Sequence, residues 1–154
     1  MISRRLQAGM DHLAGLMAGE KEPWWIIGST ALVLTGVEGI EPDDIDVVAS
    51  ADCLRRVLAK AGIAETAPKP HPQFRSSPYQ RIEFEGATPI EFMGNLEVQT
   101  RSKPARVAFG SRSEVRLGDS VFFIPSIKEQ IALFRLFGRG KDLSKAALLE
   151  GLAN

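Results

Sequence analysis

Residues 24 to 49, WWIIGSTALVLTGVEGIEPDDIDVVA, admit few arrangements. The aromatic and β-branched run after Pro23 reads as a short buried strand ending at Gly28. Ser29 is a good N-cap, so STALVLTG reads as a helix that stops at Gly36. GIEPDD supplies a turn, and DIDVVA reads as the next strand. Side chains alternate along a strand, so Asp44 and Asp46 share one face while Ile45 and Val47 share the other. That sets two carboxylates roughly 6–7 Å apart. Neighbouring anions raise one another's pKa unless a cation or a hydrogen-bond donor answers them. The strand therefore calls for a positive partner.

The remaining pattern predicts a mixed sheet covered by helices. Ile2, Leu6, Leu13, Leu16 and Met17 fall at helical spacing over residues 2 to 18. Ser50 or Asp52 can cap CLRRVLAKAG, whose Leu54, Val57, Leu58 and Ala61 lie on one face. Residues 65 to 78 carry four prolines and two serines and form the most loop-like stretch. YQRIEFEG and TPIEFMG read as a hairpin, and ARVAFG and EVRLGDSVFFIP as further β segments. Ser126 caps a helix that breaks at Gly138 and Gly140, after which a second helix runs. This succession predicts an α/β (α+β) fold rather than a purely parallel sheet. At 154 residues the chain suits one domain over 1–154, with a core of about 20–125 and C-terminal helices of about 126–152.

Nineteen basic and nineteen acidic residues cancel, which removes any whole-molecule attraction to nucleic acid or to a membrane surface. Cys53 is the one cysteine, so no disulfide forms within the chain and a reducing cytoplasm is the expected location. No apolar run approaches the roughly 20 residues that span a bilayer, and no signal-peptide core is visible, so neither membrane insertion nor export is expected.

Carboxylate oxygens are hard ligands, of which a magnesium ion takes one or two while keeping waters and substrate phosphates. Two such ions about 3.5–4 Å apart hold the attacking and leaving oxygens of a phosphoryl displacement. Asp44 and Asp46 are the candidate ligands, and a third acid from a neighbouring strand would complete the set. Glu91 is preferred because it stands between apolar Ile90 and Phe92; Glu83 and Glu85 are its rivals, and the other reading of Glu91 is an exposed edge residue that pairs with Arg81 across the hairpin. Gly28 lets a ligand approach the backbone, and the helix opening at Ser29 offers free N–H groups to phosphate. Trp24 and Trp25 read as packing anchors, and His71 and Arg75 as solvated loop residues. GRGKD lacks the spacing of a P-loop, and His12 and Cys53 have no partner in a nucleophile or zinc pattern.

These residues together resemble the nucleotidyltransferase superfamily of the polymerase-beta type, and within it the small bacterial minimal and toxin-type members. The resemblance rests on Gly28-Ser29 at a helix start, Asp44-Ile45-Asp46 on the next strand and Glu91 as third acid. The tail is also similar, with Arg135 on one helix and the pair Lys141-Asp142 opening the next. The resemblance implies transfer of a nucleoside monophosphate from a nucleoside triphosphate to an acceptor, with release of pyrophosphate and use of Mg2+ or Mn2+. Asp44, Asp46 and Glu91 would bind metal, Glu91 alternatively serving as base, and Gly28, Ser29 and Lys141 would hold the triphosphate. A tRNA end, a protein hydroxyl or a small antibiotic-like molecule would suit as acceptor. A second reading keeps the fold without turnover, as a nucleotide- or protein-binding module of the toxin and antitoxin kind; the lack of a basic residue in GVEGIEP favours it.

Overall fold

The computed structural model describes residues 2–67 and 70–153. Pro68 and Lys69, part of the expected Pro-rich loop, lie outside the described residues. Helix α1 (Arg4–Met17) starts where the Ser3 hydroxyl accepts the Leu6 N–H at 3.1 Å. Strand β1 (Trp24–Ile27) runs directly into α2 (Gly28–Thr35), and β2 (Ile45–Ala49) leads to α3 (Ala51–Lys60), capped by Ser50. Then come β3 (Phe74–Arg75), β4 (Tyr79–Ile82), β5 (Ile90–Gly94), β6 (Glu97–Gln99) and β7 (Pro104–Arg106). The hairpin β8 (Ser113–Leu117) and β9 (Ser120–Ile124) precedes α4 (Ile127–Phe137) and α5 (Gly140–Ala153).

The central sheet has the order β1-β2-β5-β4, parallel only between β2 and β5. Its two faces are filled by different residues. Ile26, Val47, Ile90 and Phe92 face a core shared with α1 and α3, while Ile27 and Val48 face one shared with α4 and α5. Burying Val47 and Phe92 completely stabilises by about 1.5–3 kcal/mol each, and a one-residue slip would turn both outward. Close approach is required where α1 crosses the sheet: a Cβ at Gly9 would lie 2.6 Å from the Thr88 carbonyl oxygen. The second sheet, β3-β6-β7, is antiparallel, and its β3 lies inside the Pro-rich stretch, whose composition concealed a short strand. Among the described residues no helix is long and apolar enough to cross a membrane.

Two expectations need correction. Strand β2 begins at Ile45, so Asp44 stands just before it. The Ile45 N–H bonds the Pro89 carbonyl at 2.8 Å, which opens the parallel ladder, whereas the Asp44 carbonyl accepts the Thr30 hydroxyl at 2.8 Å and is tied to α2 instead. Ser29 is not an N-cap. Gly28 is already helical, Ile27 occupies the cap position, and no side chain bonds that helix end.

Candidate active site

One row of residues crosses all four strands of the sheet: Ile27 lies opposite Asp46, Asp46 opposite Glu91, and Glu91 opposite Arg81. Directly opposed residues project from the same face, so this register brings Asp46, Glu91 and Arg81 together on the side covered by α4 and α5. Asp44 joins them from the residue before β2. One carboxylate oxygen from each of Asp44, Asp46 and Glu91 falls within 4.8 Å of the others.

Arg81 sits among these acids. Its Nη1 donates to Asp44 Oδ1 and to Glu91 Oε1, both at 2.6 Å, and its Nε donates to Glu83 Oε1 at 3.2 Å. Partial burial works against the charge of Arg81, but the bonds to Asp44, Glu83 and Glu91 outweigh it and hold the guanidinium protonated. Glu91 therefore belongs to the cluster and also pairs with Arg81 across the hairpin. Glu83 is exposed and anchors Arg81 from outside, and Glu85 is exposed in the turn that follows β4.

Asp46 is the strained member. Its Oδ1 is out of reach of solvent and has no hydrogen-bond partner. Burial first, then the charges of Glu91 and Asp44, push its pKa up to about 7, while Lys145 and Arg81 pull the other way. Tyr79 is held up at about 12 by burial and by Glu91. An all-oxygen donor set with a buried, unanswered carboxylate oxygen fits a hard divalent ion such as Mg2+ or Mn2+.

These carboxylates line a cleft of about 650 Å³, which Gly28 and Ser29 also line. Gly28 is required twice over. Its φ is +73°, and a Cβ there would stand 3.0 Å from Asp46 Oδ2. The uncapped start of α2 leaves its first N–H groups available beside the acids.

The opposite wall comes from α4, α5 and the Pro-rich stretch. Lys141 lines the cleft, as do His71 and Arg75, which are exposed as expected and stand at its rim. Arg135 does not: it bonds Glu150 on α5. Asp142 is only 1% exposed, and it accepts the Arg139 N–H at 3.2 Å and Nε at 2.6 Å. It thereby closes the start of α5 and holds the Arg139 guanidinium 4.9 Å from the Phe74 ring. Lys145 also lines the cleft; burial lowers its pKa, and Asp46 is among the charges it feels. Sequence reasoning passed over Lys145, although its spacing of four from Lys141 puts both on one helix face. It also treated Arg81 only as a possible partner of Glu91.

No protein-family model matches the chain, and no curated protein matches it in sequence. Solved structures do. A candidate nucleotidyltransferase from Thermotoga maritima is similar at TM-score 0.76 and 17% identity, over 100% of this chain and 96% of that one. The lincosamide antibiotic adenylyltransferase LnuA, with lincomycin bound, is similar at TM-score 0.58 and 18% identity, over 97% of both chains. ANT(2'')-Ia in complex with adenylyl-2''-tobramycin is similar at TM-score 0.53 and 13% identity, over 96% of this chain and 90% of that one. The mixed sheet, the strand-to-helix turn at Gly28 and this likeness along nearly the whole chain agree. The chain has the nucleotidyltransferase fold.

Proposed function

We propose that this protein transfers a nucleoside monophosphate from a nucleoside triphosphate to a hydroxyl group of a small molecule. The carrying observation is the buried, partnerless Oδ1 of Asp46, set beside Asp44 and Glu91 on the wall of an open cleft. Asp44, Asp46 and Glu91 would hold divalent cations, Mg2+ or Mn2+. Such ions supply Lewis acidity at the phosphates and neutralise the charge that develops there.

The chain's own residues account for the rest. The free N–H groups at the start of α2 receive phosphate oxygens, and the bare backbone at Gly28 lets them come close. Lys145 and Lys141, on the opposite wall, face the triphosphate with positive charge. The acceptor oxygen bonds to the α-phosphorus as the bond to pyrophosphate breaks, and Glu91 would serve as the base that takes the hydroxyl proton. Phe74, Phe134 and Phe137 supply an apolar wall suited to a ring. A small acceptor is favoured over a tRNA end because the charges of the whole chain cancel, and because two proteins of similar fold are named for adenylylation of antibiotics or bound to an adenylylated one. The lone thiol suits a reducing cytoplasm.

Arg81 favours a second reading, in which the fold binds nucleotide or a partner protein without turnover, since its guanidinium already answers two of the three acids. Calorimetric titration of the four nucleoside triphosphates, with and without Mg2+, separates the two when joined to pyrophosphate release over a panel of hydroxyl-bearing antibiotics. Mg2+-dependent binding lost in a folded Asp44→Asn/Asp46→Asn protein, with pyrophosphate released on some acceptor, is the expected result. Binding without release on any acceptor supports the second reading, and no binding at all overturns the first.

A further inference from the structure

We propose that Arg81 is a resident counter-ion that stands in the place of the metal, closes the acid cluster to a divalent cation arriving alone, and yields it when the cation arrives with a triphosphate. This rests on the proposed nucleotide and metal reading of the cleft.

One nitrogen, Nη1, bridges Asp44 Oδ1 and Glu91 Oε1 at 2.6 Å each. A cation shared by these carboxylates would enter the space the guanidinium bridges and compete with it for the same negative charge, so metal and guanidinium oppose one another. A cation alone would have to break two charge-assisted bonds, leaving the arginine with exposed Glu83 as its single partner. A triphosphate changes that balance, because its oxygens offer the released guanidinium new acceptors of suitable geometry. Release does not require the sheet to move: the Arg81 side chain is 39% exposed, and Nε keeps a tether on Glu83 while the fork turns. Metal and nucleotide should therefore bind with positive coupling, each strengthening the other to the same degree.

Mn2+ binding read by electron paramagnetic resonance tests this without turnover. The titration is done on wild type and Arg81→Gln, with and without a nucleotide analogue that carries a methylene bridge between its α- and β-phosphorus. In the absence of nucleotide, Arg81→Gln should bind Mn2+ about tenfold more tightly than wild type. The analogue should tighten Mn2+ binding about tenfold in wild type and much less in Arg81→Gln. Should Arg81→Gln fail to fold, Arg81→Lys, which keeps the charge but loses the two-sided fork, should shift both quantities the same way by less. Mn2+ affinity unchanged or weaker in the variant, with nucleotide still bound by wild type, would overturn the role of Arg81 alone. Tighter Mn2+ in the variant but no response to nucleotide in either protein would overturn the coupling, and with it the nucleotide reading of the cleft.

Discussion

Asp44, Asp46 and Glu91 gather around Arg81 near the start of β2, and beyond the other end of that strand Glu20, Glu22 and Cys53 gather beside Arg56. In both groups three potential ligand atoms lie within 4.8 Å of one another. The resemblance stops at how the acids are answered. Arg56 donates to Glu20 at 2.7 Å and also bonds Glu22, and the bond from Arg56 is the main reason the Glu20 pKa is lowered. Arg81 bonds Asp44, Glu91 and Glu83 but not Asp46, whose pKa is raised. The first cluster holds a demand that the folded chain leaves unmet, and the second meets its own. Proximity of acids is thus a poor mark of a site; burial that outruns the available partners is a better one.

The largest contrast should come from removing one charge in each cluster. Asp46→Asn keeps volume and deletes the unanswered carboxylate, so the proposed Mg2+-dependent turnover should fall by about 10³-fold or more. The fold should survive, with a melting temperature equal to or above that of wild type, because a desolvated charge is gone. Kinetics and thermal melts of the same preparation check both halves. Glu20→Gln should leave turnover where it was; a comparable loss there would erase the distinction between the clusters.

The pH dependence of stability sharpens the comparison in the metal-free protein. Asp46 titrates near 3.8 when unfolded and about 7 when folded, so the folded state holds a proton that the unfolded chain has lost between those values. Its stabilising contribution is complete below about pH 4 and is lost as pH rises through 7. Between pH 5.5 and 7 the stability should drop by roughly 2 kcal/mol. Glu20 and Glu129 have lowered pKa values, so their contributions disappear only at more acid pH and leave this window clear. Urea denaturation across the window measures the slope. Asp46→Asn or saturating Mg2+ should flatten it, and a slope that persists in the variant would mean another group is responsible.

How much of this was legible before the structure depends on distance along the chain. Gly28, Ser29, Asp44 and Asp46 lie within one strand-helix-strand unit, so spacing and periodicity could place them near one another. Glu91 could only be preferred, not separated from its rivals, because Glu83 between Ile82 and Phe84 shows the same alternation as Glu91 between Ile90 and Phe92; the register that sets Glu91 opposite Asp46 decides it. Arg81 could not be placed among the acids, since that depends on the register of β4 on β5 together with the parallel pairing of β2 and β5. The cap at Ser29 was misread because the chain turns from strand to helix already at Gly28, through a positive φ that Ser could not readily adopt, and a letter string carries no dihedral. Asp142 entered only as half of the Lys141-Asp142 pair that opens the last helix; packing revealed it as the buried support of Arg139.

A smaller effect is expected on stability from the second cluster. The Glu20 side chain is 5% exposed and its main partner, Arg56, is 47% exposed, so the pair is half in water and its contribution is screened accordingly. Glu20→Gln should lower the melting temperature by a few degrees and leave Mn2+ binding at the cleft unchanged. A scan by differential calorimetry checks the first and a Mn2+ titration the second. No change in melting temperature would reduce that ion pair to surface decoration.

The smallest expected effect concerns Cys53, and it is the strictest test of the claim that the second cluster is closed. The thiol is buried, and burial, then the charges of Glu20 and Glu22, push its pKa up to about 12. At pH 8 the thiolate fraction is then on the order of 10⁻⁴, which makes alkylation slow in the folded state and sets a proton against any metal. Iodoacetamide should therefore modify Cys53 no faster than the protein unfolds, and micromolar Zn2+ should not alter that rate. The acids beside it cannot attract a cation without giving up Arg56, and a thiol that keeps its proton adds nothing to compensate. Fast alkylation that Zn2+ suppresses would show that these three groups do gather around metal, and the contrast between a satisfied cluster and an unsatisfied one would no longer identify the site.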